Sequence, residues 1–424
     1  MHPEMSEPVS KQRSGRGWIV SGCCILSLSL AGSGVFYGYV LLTADATLRR
    51  TEKLLALDQP DEAFQNLYLL ARFDSQDAST NLLMGRIKLQ QKNYSEAILH
   101  FERVSEHAPE YETALHNLAG CLLNDNQLEK AEAVLRKLVQ TSPGSLPAHR
   151  ELSVLLLGQL RRNEAVPVLL NYLRREIDSP PADRLAVLRD LLTAQFLAPV
   201  PEGCLESLQV ASSQHPGQLP VLIALTECFW KTGRQAEAES LIQLLQSQTP
   251  TSLRVDLLEL RLRISQRELS AAESLIRSIE SAADSDLREA AHVDPDFQIL
   301  KGEVQELSED YSAAVRSLEY AASLRPLDRS SRARYARLLQ RTGQSSKARE
   351  LNAQVHRQAE AELALWHLAG KVRDQLPTSD ECVKISELFT VLEQMDQATA
   401  WHRMAVDVGL LNQESADFPR RMSP

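Results

Sequence analysis

The sequence is poor in aromatic residues. Phe, Trp and Tyr make up 5% of its 424 positions, so a core must be built from leucine and alanine, which suits helices packed at close range. Cysteine is scarce and unpatterned. The six thiols, at 23, 24, 121, 204, 228 and 382, include no C-x-x-C pair, which excludes a zinc ribbon and a disulfide-stapled scaffold. The ten histidines are scattered too. His100 and His107 are read as sharing one helix, but no carboxylate or cysteine pattern completes a ligand set, so no metal is expected. Positive charge is in deficit: the chain carries −10, and without the three basic and two acidic groups of its first 42 residues the remainder stands at about −11, a poor balance for a nucleic-acid partner. Catalytic signatures are missing as well, with no G-x-S-x-G, no H-E-x-x-H, no G-x-x-x-x-G-K-[ST] and no glycine-rich nucleotide loop. No enzymatic activity, cofactor or small-molecule substrate is therefore expected.

What the sequence does contain is a repeat. The stretch 81–109 reads as helix, turn and helix, with Gly85 twelve residues before Ala97, Phe101 four after it and Pro109 eight further on. Steps of 34 from Ala97 reach Ala131 and Ala165 forwards and Ala63 backwards, and Pro109 steps to Pro143. The register then slips and returns, since Ala238 and Ala272, and later Ala314 and Ala348, are again 34 apart. A second near-complete copy sets Gly302, Tyr311, Ala314, Leu318 and Pro326 at the spacing of Gly85, Tyr94, Ala97, Phe101 and Pro109.

This pattern resembles the tetratricopeptide repeat, over roughly residues 45–410. The resemblance implies an all-α fold, a right-handed α-solenoid of stacked helix-turn-helix units, each packing on its neighbours because two helices alone cannot bury their apolar faces. Small residues then mark the closest approaches: Gly85, Ala119 and Ala336 in first helices, and the alanine series in second helices.

Taken in order, residues 1–17 are polar and expected to be disordered. Residues 18–42 run 25 positions without a charge, enough for a transmembrane helix, with Trp18, Tyr37 and Tyr39 placed as interfacial anchors. Ala44, Asp45 and Ala46 resemble a processing site, but the apolar run exceeds the about 7–15 residues of a cleavable signal, so an uncleaved single-pass anchor is expected. Lys11, Arg13 and Arg16 on one side face Arg49, Arg50 and Lys53 on the other. The amino-terminal charge tilts the repeats towards the extracytoplasmic side. Tetratricopeptide-like repeats fill 45–178. A divergent helical pair follows at 179–217, opened by Pro180 and Pro181 and broken by Pro199 and Pro201. Further repeats and C-terminal helices occupy 218–411, and 412–424 reads as a flexible tail. Within them, Asp284, Asp286, Asp294 and Asp296 mark an acidic insertion best read as helix caps. The second helix after Ala348 is expected to be long, stopped near Pro377, and Ala400 is taken as the small residue of the last pair.

The resemblance also implies an inner surface, lined by first helices, that receives a peptide or a partner's helix. On it stand Arg86 and Gln90, then His116, Asn117 and Asn124, then Arg150. A chaperone-tail clamp is poorly matched: Asn117 fits one position, whereas Leu82, Arg86, Pro147 and Glu151 replace the others. Separately, residues 329–349 carry seven basic groups and no acidic one, and Arg334, Arg337 and Arg341 share one helical face suited to an acidic peptide. The alternative is a solvated face paired with acids of neighbouring units. The sequence thus reads as a membrane-anchored protein-protein interaction scaffold that binds a partner peptide or protein in its groove. The alternative is a structural or accessory subunit of a membrane-embedded assembly, its span packing on a partner through Ser21, Gly22, Ser27, Gly32, Ser33 and Gly34.

Overall fold

The computed structural model describes residues 42–421 apart from 74–75, 176–178, 198–199, 250–251 and 327, with side chains described as far as 409. Among the described residues the chain forms twenty-one helices and no strand. None of these helices is long and apolar enough to cross a membrane. The tail expected at 1–17 and the span expected at 18–42 lie, but for Leu42, outside the described residues.

Nine turns between helices share one construction. A residue with φ between 57 and 81° ends the first helix: Asp58, Lys92, Asn126, Leu160, Gly233, Arg267, Glu309, Gly343 and Glu393. The N–H of the next residue bonds back five positions, as Asn93 does to the Lys88 carbonyl at 2.9 Å and Gln344 to the Leu339 carbonyl at 2.8 Å. This closure satisfies the last carbonyls of the helix and reverses the chain. In two copies the same residue then caps the second helix: Asn93 accepts from the Glu96 N–H and Asp310 from the Ala313 N–H. Five positions after each of the nine turn residues stands an alanine no more than 4% exposed. Eight of them are those picked out by the 34-residue spacing. The ninth is Ala398, and Ala400 is only half-buried, because the turn at Glu393 fixes which side of the last helix faces inward. First helices obey the same packing rule. A Cβ on Gly85 would sit 2.5 Å from the Phe101 ring, and one on Gly302 2.9 Å from Leu318.

The described chain divides into two compact units, Met1–Cys121 and Leu122–Pro424. In the first, α1 (Ala44–Ala56) and α2 (Pro60–Phe73) form one hairpin and α3 (Ala78–Gln90) and α4 (Tyr94–Phe101) the next. Leu55, Ala63, Leu67, Leu70, Leu83, Met84 and Ile87 make a core shared by α1, α2 and α3. Since α4 ends at Phe101, His107 lies beyond the helix that carries His100, so the two do not share a helix as expected. The division falls within α5 (Tyr111–Asn124).

The second unit departs from a simple stack. Its opening helices are α6 (Leu128–Thr141), α7 (Leu146–Gly158), α8 (Arg162–Arg175) and α9 (Pro181–Phe196). The chain then leaves through α10 (Pro201–Gln214), α11 (Leu219–Lys231), α12 (Gln235–Gln248), α13 (Leu253–Ser265), α14 (Leu269–Glu280), α15 (Ser285–Val293), α16 (Pro295–Leu307), α17 (Tyr311–Leu324) and α18 (Arg329–Arg341). It returns along α19 (Ser345–Asp374), 30 residues long, to α20 (Ser379–Val391) and α21 (Met395–Arg421). The long second helix after Ala348 and its stop near Pro377 are as expected, and a capping box of Thr378 and Glu381 opens α20. The helical backbone of α21 continues to Arg421, across most of the span expected as a flexible tail.

The return closes the unit on itself. Leu169, Tyr172 and Leu173 of α8 and Val187, Leu188, Leu191 and Leu192 of α9 share one core with Ala361, Leu365 and Val372 of α19, Phe389 of α20 and Trp401 of α21. Arg174 pairs with Asp396 at 2.6 Å, Arg184 with Asp407, and Arg189 donates to the Gln375 carbonyl at 2.6 Å. The helical pair expected at 179–217 is therefore split. Its first helix, α9, belongs to this core, whereas α10 pairs with α11 and the latter packs back on α6. Gln218 fixes that junction by donating to the Asn126 carbonyl at 2.9 Å and accepting from the Glu129 N–H at 3.0 Å.

Candidate functional site

In the first unit the expected groove residues differ in how far they are engaged. Arg86 is half-buried on α3. Gln90, exposed at the end of that helix, donates to the Leu55 carbonyl at 3.0 Å and so ties α3 to α1. On α5, Asn117 donates to the Thr113 carbonyl one turn back at 2.8 Å, and His116 beside it is half-buried. Near them Lys88 lies 4.7 Å from the centre of the Phe64 ring and 2.7 Å from Glu96. Burial and the neighbouring Arg103 and Lys88 hold the His100 imidazole below the usual histidine range.

In the second unit Asn124 is exposed, and Arg150 on α7 forms an ion pair with Asp190 on α9. The basic run resolves into separate engagements. Arg334 pairs with Glu303 at 2.9 Å and Glu306 at 3.2 Å, both on α16, and these partners raise its guanidinium pKa further. Arg341 stacks on the Tyr311 ring at 4.3 Å and donates to its hydroxyl at 3.0 Å. Buried Arg332 donates to the Pro326 carbonyl, Gln354 and Gln358, and Lys347 pairs with Glu319. Arg337 is exposed and makes no ion pair among the described residues. The three arginines expected as one docking face thus have one unengaged member.

Two features went unread in the sequence. One is an ion network between α6, α8 and α13. Arg161, just before α8 and 8% exposed, bonds Glu132 and Glu164, and Arg136 bonds the same two acids, each at 2.8 Å. Arg254 approaches Glu164 at 4.0 Å. Burial works against charge at Arg161, but its hydrogen bonds to Glu164 and Glu132 outweigh that and raise its pKa. For Arg254 burial and the nearby Arg161 prevail and lower it. The other is a cavity of about 470 Å³ between the end of α14, α15, α16 and α17. The acidic insertion walls it. Asp284 caps α15 and Asp294 caps α16, as the capping reading expected, while Asp296 pairs with Arg325 at 2.9 Å. The insertion also carries a helix of its own, α15, that composition did not reveal. Gln298, Lys301 and Gln305 stand where the register of Ala119 has Leu115, Leu118 and Leu122, but the same register holds Asn81 and Lys88 around Gly85 and Asp256, Glu259 and Arg263 on α13, so polarity there does not single out the cavity.

One segment of the chain resembles a known family. Residues 88–156 match the family model described as tetratricopeptide repeat. Among solved structures, MamA from Desulfovibrio magneticus RS-1 is 17% identical over 42% of this chain and 94% of its own, with a TM-score of 0.32. A tetratricopeptide repeat protein from Parabacteroides merdae is 15% identical over 58% and 98%, also at 0.32. A thermophilic tetratricopeptide protein from Thermus thermophilus is 18% identical over 44% and 98%, at 0.29. Scores this low do not extend the likeness to the whole architecture. No curated protein matches the sequence. Among the described residues the chain is a helical-repeat protein, and its residues 88–156 are similar to the tetratricopeptide repeat.

Proposed function

We propose that this protein is an interaction scaffold without chemistry of its own, held at a membrane by residues 18–42 with its repeats on the extracytoplasmic side, where they bind a protein or peptide partner. The observation that supports it most is the match of 88–156 to a repeat family, together with the helix-turn-helix register that continues outside it in seven like turns. Arg86, Gln90, His116 and Asn117 in the first unit, and Asn124 and Arg150 in the second, are the first-helix groups assigned to the partner. Arg337, with Arg334 and Arg341 beside it, is a secondary contact for an acidic segment.

The test is site-specific photo-crosslinking in native membranes, with the photoreactive residue placed at Arg86, Asn117 or Arg337 and a control at exposed Val210. One recurring protein crosslinked from the first three and not from the control is the expected result. Crosslinks arising only from probes within 18–42 would replace the reading by that of an accessory subunit. The anchor is tested in the same membranes, since release of the full chain by alkaline carbonate would exclude a spanning helix.

A further inference from the structure

The geometry points to the open cavity between the end of α14 and α15, α16 and α17 as a binding site for a multiply charged anion, carboxylate or phosphate. Its volume, about 470 Å³, lies within the usual range of small-ligand sites. The face that α16 turns to it is largely polar. Gln298, Lys301 and Gln305 occupy the register filled by buried Leu115, Leu118 and Leu122 in the unit around Ala119. This polar face is walled by the extra helix α15.

The fixed charges are predominantly positive. Arg288 comes from α15, Lys301 from α16 and Arg316 from α17, against Glu280 alone, in a chain whose net charge is −10. Arg288 is anchored by donation to the Ala282 carbonyl, and Lys301 pairs with Glu280. Arg316 is exposed and makes no ion pair among the described residues, leaving a planar fork of donors directed by position to an arriving anion.

The neutral lining is already ordered. Gln298, 6% exposed, donates to the His292 carbonyl at 3.0 Å, and Ser317 donates to Gln305 at 2.8 Å. The Tyr320 hydroxyl and His292 Nδ1 are 3.2 Å apart across the mouth. Phe297 supplies an apolar wall. Such an arrangement has little left to order when an anion arrives, which favours binding. None of these residues belongs to the first-helix set assigned to the partner above, so this site stands whether or not that assignment does.

The purified full chain in detergent is titrated calorimetrically with a pentaglutamate peptide and, separately, with inorganic phosphate. Saturable binding of at least one is expected. It should weaken at least tenfold in Arg316→Ala and in Arg288→Ala, and stay unchanged in Arg357→Ala, an exposed arginine on α19. Circular dichroism confirms that each variant keeps its helicity. Binding of the peptide alone identifies acidic side chains of a protein as the source, and binding of phosphate alone identifies a free small anion. Binding of neither, or binding indifferent to both arginine substitutions, overturns the proposal.

Discussion

At Gly85 the packing leaves no room for one more carbon, because the Phe101 ring occupies the place a Cβ would take. Gly85→Ala should therefore cost about 1–3 kcal/mol. Gly370, near the C-terminal end of α19 with nothing within 4 Å of its would-be Cβ, behaves oppositely. There the gain in helix propensity prevails, and Gly370→Ala should stabilise by about 0.5–1 kcal/mol. Denaturant midpoints of the two variants check the pair, and equal shifts would show that close approach is not what selects glycine at 85. Asp256 offers a test by pH. Burial, with help from Glu259, pushes its carboxyl from the ordinary 3.8 up to about 6. A carboxyl whose pKa is raised on folding contributes stability below its unfolded value and loses it as pH rises through the folded one. Asp256→Asn should accordingly stabilise the protein at pH 7.5, by about 1–2 kcal/mol after allowance for its half-buried position. That advantage should shrink as pH falls from 6 towards 3.8. Melting curves across that window decide it, and a variant less stable at every pH would show the carboxylate to be well accommodated.

Helices in this chain are joined by ionic ties as well as by apolar faces, and in the network around Arg161 the Arg161–Glu132 pair is well enclosed. Glu132→Gln leaves Arg161 with half its charge compensation in a buried position and should destabilise by about 2–3 kcal/mol. Chemical denaturation measures this, and a loss under about 0.5 kcal/mol would place the network among ordinary surface pairs. At this scale much was legible in the sequence. Eight of nine inward alanines follow from spacing, since only a small side chain fits where second helices cross, and the ninth was misplaced by two residues. Seven of the nine turns left no trace, because Asp, Lys, Asn, Leu, Arg and Glu take the positive φ there, whereas Gly233 and Gly343 carry the readable residue. The basic run was legible as composition but not as a surface. Whether an arginine is available depends on which acids the neighbouring helix presents, and Glu303 and Glu306 lie about thirty residues away from Arg334.

For the second unit as a whole, closure changes what stability means. An open array loses its end repeats by local fraying, whereas here α9 is held from both chain directions. A chain ending at Gln375, which lacks α20 and α21, should therefore loosen α9. Amide exchange across 181–196 is expected to quicken on the order of 100-fold while α12 to α14 keep their protection. Undiminished protection of α9 would mean that the returning helices contribute little. The sequence could not announce this closure, because the apolar stripes that meet in it are ordinary helical stripes with no mark of their partner. Those stripes also set a clock. Arg174 and Asp396 are 222 residues apart in the chain yet touch in the fold. At about 5–20 residues per second of synthesis, the leucine face of α9 waits roughly 10–40 s for the helices that cover it. Through that interval the newly made protein carries an unfinished hydrophobic surface, so the contact that later makes the fold secure is also the one that leaves it open to aggregation during translation.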